Sequence, residues 1–195
     1  IEPFARLRNQ GMILAYAYER SNGGLVAVDL VEERDGKFFE IETGLEVKRV
    51  IAKMSKSLKN VVNPDDMISE YGTDALRMYE MVLGDFRDSA PWEPTGIIGV
   101  RRFLDRVHTT FTEGKNLTKD EMKTMKLLHK TVKKVGEDIE DYKFNTAISS
   151  LMILLNEGLP TDSEFQTEWK EKFAILLHPF APHMAEEIWN ILGHK

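Results

Sequence analysis

Five consecutive residues, Lys53-Met54-Ser55-Lys56-Ser57, place two ammonium groups three positions apart with a hydroxyl on each side of the second. An ammonium on a flexible four-carbon stem can follow an oxyanion as it moves, and hydroxyls can donate to the same oxygens. The chemistry this suits is the grip of a polyphosphate whose charge shifts during reaction. That is electrostatic stabilisation, with no proton transfer asked of the loop. Lys56 is the principal candidate and Lys53 supports it. Ser55 and Ser57 either donate to phosphate oxygens or cap the following turn, and Met54 serves as a packing residue. With this chain's Lys, Met and Ser content, the pentapeptide would arise by chance in roughly one chain of this length in ten thousand.

Basic residues recur in two further patterns. Lys48, Arg49, Lys53, Lys56 and Lys59 fall in a stretch with no acidic residue between positions 47 and 64, which favours phosphate contact beside the motif. Lys119, Lys123, Lys126, Lys130 and Lys133 are spaced 4, 3, 4 and 3 apart. On a helix they form one stripe about 100° around from the apolar face, which is either a rail for a phosphate backbone or a solvated face that keeps the helix soluble. The net charge of -6 argues against indiscriminate nucleic-acid binding, so contact has to come from such local patches. There is no cysteine, and the histidines show no ligand spacing, so no protein-held metal is expected. The phosphate loop GxxxxGK[ST] is absent as well. No apolar run is long enough to cross a bilayer, and a cytoplasmic setting is the expectation.

The elements that must position these groups follow from periodicity. A short helix is expected over residues 2–8, and an apolar strand over 12–18 after Gly11. Residues 19–47 read as a β excursion with turns at Asn22-Gly23-Gly24 and Asp35-Gly36. A further apolar piece at 50–52 leads into a polar loop at 53–60. Helices follow: one begins at Pro64 with Asp65 and Asp66 at its positive end, and another runs over 73–84. Beyond a loop holding Pro91, Trp92 and Pro94 come longer helices: one at about 95–112, one opening at Thr118 and carrying Met122 to Ile139, one at about 144–157, one from Thr161 to Pro179, and a last at about 183–192. Capping boxes at Thr118–Glu121 and Thr161–Glu164 open two of them. Asp74 and Arg77, at i and i+3, are expected to pair. The architecture is therefore α+β and mostly α. Residues 1–92 carry the loop, and 93–195 form an antiparallel helical bundle.

The pentapeptide resembles the KMSKS signature of class I aminoacyl-tRNA synthetases. The likeness extends through Val61-Val62-Asn63-Pro64-Asp65-Asp66 and Tyr71-Gly72-Thr73-Asp74-Ala75-Leu76-Arg77. Among specificities the leucyl branch fits best, through Glu2-Pro3-Phe4, Gln10-Gly11-Met12-Ile13-Leu14 and Met78-Tyr79-Glu80-Met81-Val82-Leu83-Gly84. Gly96-Ile97-Ile98-Gly99-Val100 with Arg102-Phe103-Leu104, and His178-Pro179-Phe180-Ala181-Pro182-His183-Met184, are similar to the same branch.

The resemblance implies the tail of a catalytic domain with a stem-contact region, followed by an anticodon-binding type of helical domain. It implies ATP as a substrate held by Lys53, Met54, Ser55, Lys56 and Ser57, with Mg2+ carried on the nucleotide. Leucine and tRNA(Leu) are the other implied partners, and Arg49, Lys59 and the lysine stripe are candidate tRNA contacts. Lys59 stands where many relatives have glycine, and the excursion at 19–47 varies within the family. No HIGH motif, complete nucleotide-binding sheet or editing domain falls within these residues. The chain is thus expected to work with missing catalytic and editing parts and to be inactive by itself. The competing classes are a tRNA-binding module without catalysis, and the matching piece of an isoleucyl, valyl or methionyl enzyme.

Overall fold

The computed structural model describes residues 3–194 except 5 and 119. The chain forms two units: Ile1–Pro64 with Arg87–Pro94, and Asp65–Phe86 with Thr95–Lys195. The architecture is α+β and mostly α, as the periodicity implies.

The first unit is a sheet. Strand β1 (Ile13–Glu19) lies antiparallel between β2 (Leu25–Val26) and β5 (Glu46–Ala52). Strands β3 (Val31–Arg34) and β4 (Lys37–Glu40) extend it in the order β2-β1-β5-β4-β3. A short 3-10 turn, Val28–Leu30, links β2 to β3. The β3–β4 hairpin turns on Asp35 and Gly36, both at positive φ, 50° and 76°. That is the left-handed pair which a tight hairpin requires, and it explains the Asp-Gly. Strand β6 (Ala90–Pro91) adds in parallel to β1 at Ile13 and Leu14. Gly11 permits this approach, because a Cβ there would lie 2.0 Å from the Asp88 carbonyl oxygen.

Burial explains this sheet's alternation. Ala15, Ala17, Val26 and Val47 are buried, while Tyr16 and Tyr18 lie on the other face of β1, where the Tyr18 ring sits 4.9 Å from that of Phe38, tilted by 48°. Glu40 is buried too, and the Arg20 guanidinium grips both its oxygens at 2.5 and 3.0 Å. That hydrogen bonding holds the carboxyl below its usual range against the opposing effect of burial.

The helix expected over residues 2–8 does not form at the described positions among them. Phe4 and Leu7 are 75% and 87% exposed, so a helix there has no apolar face to bury, and a short helix without packing is unstable.

The second unit is helical. Helices α1 (Pro64–Tyr71) and α2 (Thr73–Val82) meet at Gly72. They are followed by α3 (Gly96–Glu113), α4 (Glu121–Glu140), α5 (Phe144–Glu157), α6 (Ser163–Leu177) and α7 (Pro182–Ile191). Helix α2, which the sequence groups with the loop, packs on α3, α5 and α7. The core of α3 is Ile97, Val100, Phe103, Leu104, Val107 and Phe111, with Ile98 only partly covered. Trp169 and Phe173 of α6 stack at 4.9 Å and nearly parallel, with Phe111 about 6 Å from each. Trp189 is half-buried and stacks on His194.

Both capping boxes are displaced by one or two residues. Asp120 caps α4 by accepting from the Lys123 N–H at 3.0 Å, and Thr118 instead receives the buried Thr124 hydroxyl. Asp162 caps α6 through the N–H groups of Glu164 and Phe165. A short carboxylate reaches helix-end donors at these positions, and a negative charge also complements the helix dipole. Glu121, freed from its box, accepts from the Thr161 hydroxyl and from the Thr161 and Asp162 N–H groups at 2.8 and 2.9 Å. It ties the start of α4 to the start of α6.

Candidate functional site

The five motif residues lie together on the loop that joins β5 to α1, in the setting the sequence implies. Asn60 is the fastener of that loop. It is 8% exposed, accepts from the Ser55 N–H at 2.8 Å, and donates to the carbonyls of Tyr16 and Lys53 at 3.3 and 3.4 Å. Both limbs of the loop are thereby tied to β1. Within it, two successive turns form, with Leu58 N–H to Ser55 carbonyl at 3.2 Å and Lys59 N–H to Lys56 carbonyl at 3.3 Å. The Ser55 and Ser57 hydroxyls bond each other at 2.6 Å, and Ser55 Oγ accepts weakly from Leu58 N–H. The serines cap the turn and face one another. Met54 is partly buried.

The two lysines are in a different situation. Both are exposed, and their ammonium groups make no hydrogen bond or ion pair among the described residues. Their backbone is fastened and their ammonium groups are free. A site of this kind presents mobile positive charge from a fixed base, which is what an incoming polyphosphate requires.

The remaining basic candidates divide. Arg49 lays its guanidinium 3.5 Å from the centre of the Tyr16 ring across the β1–β5 pair. Lys59 reaches Asp29 at 2.5 Å. In the helical unit, Lys123 is bound by both oxygens of Glu157 at 2.8 Å, and Lys133 sits 3.7 Å from Glu137. Lys126 and Lys130 are exposed and unpartnered among the described residues. Lys119 falls outside the described residues. The buried face of α4 is Thr124, Met125, Leu128, Thr131 and Val135, so the stripe does lie to one side of it.

Sequence reading missed two arrangements besides Asn60. Asp74 does not pair with Arg77 as expected. Its carboxylate, nearly buried, takes the Met184 N–H at 2.7 Å and His183 Nδ1 at 2.8 Å, capping α7 from across the unit. Arg77 instead donates to the Pro179 carbonyl. The partners lie more than a hundred residues apart in sequence, so no local spacing signals them. Among the described residues no cluster of three or more His, Cys, Asp or Glu is placed to hold a metal.

Two family models match: "tRNA synthetases class I (I, L, M and V)" over residues 37–90, and "Anticodon-binding domain of tRNA ligase" over residues 123–195. A leucine–tRNA ligase of Borrelia hermsii is 50% identical over 194 residues, or 98% of this chain. Along its whole length this chain is thus similar to leucine–tRNA ligases. The same enzyme of Borreliella burgdorferi is 48% identical over 98% of the chain. The chain spans about 23% of the length of these relatives. Among solved structures, an Agrobacterium radiobacter LeuRS in ternary complex with tRNA and LeuAMS matches with a TM-score of 0.63 and 28% identity. That match covers 73% of this chain and 21% of the other. A Mycobacterium tuberculosis methionyl-tRNA synthetase, at 13% identity and a TM-score of 0.54, shares the fold over 70% of this chain and 36% of its own. These relatives are leucine enzymes, which favours the leucyl reading over the isoleucyl, valyl and methionyl alternatives.

Proposed function

We propose that this chain is the part of a leucyl-tRNA synthetase that supplies the ATP-phosphate loop and a tRNA-binding helical domain. The observation that carries this reading is the pair of unpartnered lysines, Lys53 and Lys56, on a loop fastened by Asn60, in a chain half identical to leucine–tRNA ligases along its whole length. In the complete enzyme, leucine and ATP would give leucyl-adenylate and pyrophosphate. The leucyl group would then pass to the 3′ end of tRNA(Leu).

In the first step the leucine carboxylate attacks the α-phosphorus, and the bond to the bridging oxygen of pyrophosphate breaks. Negative charge moves toward the leaving pyrophosphate, and Lys56, assisted by Lys53, meets it. The contact strengthens as charge develops, so it lowers the barrier more than it tightens substrate binding. The serine hydroxyls, already facing each other at 2.6 Å, can turn to phosphate oxygens without backbone rearrangement. The loop's donors do not suit a hard dication, which takes carboxylate, carbonyl and water oxygens. Mg2+ accompanying ATP is therefore expected on the nucleotide and not on this chain. In the helical unit, Lys126 and Lys130 are the candidate contacts to the tRNA backbone, with Lys119, Lys123 and Lys133 flanking them along the stripe.

The test is Lys56→Ala in the full-length enzyme, followed by leucine-dependent pyrophosphate exchange. The adenylation rate should fall on the order of 10²-fold or more, with the Michaelis constant for leucine nearly unchanged. An unaltered rate, or a defect confined to leucine binding, contradicts the assignment.

A further inference from the structure

The loop bearing Lys53 and Lys56 is also held by a segment of the β excursion. The Val28 N–H donates to the Leu58 carbonyl at 2.9 Å, and the Asp29 carboxylate takes Lys59 Nζ at 2.5 Å. Both ties leave the same 3-10 turn, Val28–Leu30, and land on adjacent residues of the loop. They reach across some thirty residues of sequence, so neither is a by-product of local turn geometry.

Lys59 is an unusual residue for its place. Its φ is +50°, a left-handed conformation in which a side chain is strained and glycine is relaxed. What a lysine offers there, and glycine cannot, is a cation long enough to reach Asp29. The ties also fall on one limb only. Leu58 and Lys59 are gripped by the Val28–Leu30 turn, whereas the ammonium groups of Lys53 and Lys56 have no partner among the described residues.

We propose that the Val28–Leu30 turn is a latch that positions the KMSKS loop, Asp29 acting through Lys59. It fixes the distal limb as Asn60 fixes the proximal one, so that only the ammonium groups of Lys53 and Lys56 have to order when phosphate is engaged. Asp29 and Lys59 are positioning residues and touch no substrate. The inference rests on the reading of the loop as the ATP-phosphate loop of the leucyl enzyme. The side chains of the pair are 45% and 62% exposed, so solvent screens it and its effect is modest.

In the full-length enzyme, Asp29→Ala should lower the adenylation rate about two- to fivefold, the range of an exposed ion pair, without moving the Michaelis constant for leucine. Lys59→Gly removes the pair while relaxing the backbone, and adding Asp29→Ala to it should then change nothing further. The reversed pair, Asp29→Lys with Lys59→Asp, should restore most of the rate that each single reversal loses. A turn that did not act through this ion pair would gain nothing from that exchange. Hydrogen exchange at Leu58 and Lys59 should quicken in Asp29→Ala, and this is read without any activity. Wild-type rate and exchange in Asp29→Ala, or single reversals that the double exchange fails to rescue, overturn the latch. If Lys56→Ala also left adenylation intact, the reading of the loop would be what had failed, and the exchange data would still judge the latch by itself.

Discussion

Replacing Asn60 by alanine tests how much of the loop's competence lies in its fastening. Three hydrogen bonds are lost: one good bond from the Ser55 N–H at 2.8 Å, and two long ones to the carbonyls of Tyr16 and Lys53 at 3.3 and 3.4 Å. The first is worth about 1 kcal/mol net and each long one about half as much, which totals ~2 kcal/mol of local stability. At about 1.4 kcal/mol per factor of ten, the Ser55 amide should exchange its hydrogen roughly 30-fold faster. Adenylation should fall too, because the lysines would then project from a base that has to be ordered afresh at each turnover. Asn60→Asp sharpens the test. It keeps the acceptor for Ser55 but sets a carboxylate against two carbonyl oxygens, so it should be at least as damaging as alanine. Measured in the full-length enzyme, unchanged exchange at Ser55 in both variants would show that the loop holds its shape without Asn60, and the reasoning would be wrong.

Three further outcomes follow from other parts of the chain. Reversing Lys126 and Lys130 to glutamate in the full enzyme should raise the Michaelis constant for tRNA and flatten its dependence on salt, with tRNA-independent adenylation untouched; unchanged charging across several salt concentrations would reduce the stripe to a solvated face. Gly96→Ala places a Cβ 2.4–2.7 Å from the ring and hydroxyl of buried Tyr79, and should destabilise the helical unit by about 1–3 kcal/mol, seen as a lower Tm. The Glu121 carboxyl is held below its usual range, first by the Thr161 hydroxyl and then by the Asp162 and Thr161 N–H groups. A depressed folded-state pKa gives stability that is present above the unfolded value and lost as pH falls through the folded one, so the α4–α6 junction should loosen only in acid, and Glu121→Gln should abolish that part of the pH dependence in thermal melts.

What was legible in the sequence is what is encoded locally. The strand–loop–helix setting of Lys53–Ser57, the Asp35-Gly36 hairpin and the order of the longer helices all follow from periodicity and turn chemistry over a few residues. The helix expected at 2–8 failed because a local pattern cannot say whether an apolar face has anything to cover, and Phe4 and Leu7 have nothing. Asp74 read as a partner for Arg77 because i, i+3 is the only partner a single helix can show; the folded unit offers it the end of α7 instead. The capping boxes slipped for a related reason. Several acceptors lie within two residues of each helix start, and the choice between Thr118 and Asp120 is settled by Thr124, which takes the Thr118 hydroxyl into the core.

The same distinction separates the basic residues, which a sequence presents as equals. A lysine already paired must give up its carboxylate before it can serve a phosphate, so what it gains is only the difference between two charge-assisted contacts. Lys123 would have to leave both oxygens of Glu157, and Lys59 would have to leave Asp29. Arg49 would have to lift from Tyr16 or offer only the edge of its guanidinium. Lys53, Lys56, Lys126 and Lys130 lose only hydration. Among the described residues, these four cations fall two in each unit, one pair on the loop and one on α4, and the proposed division of labour between ATP phosphates and a tRNA backbone assigns one pair to each. Engaged cations beside them then act as scaffolding: Lys59 holds the limb next to Lys56, and Lys123 holds α4 to the end of α5, one turn from Lys126.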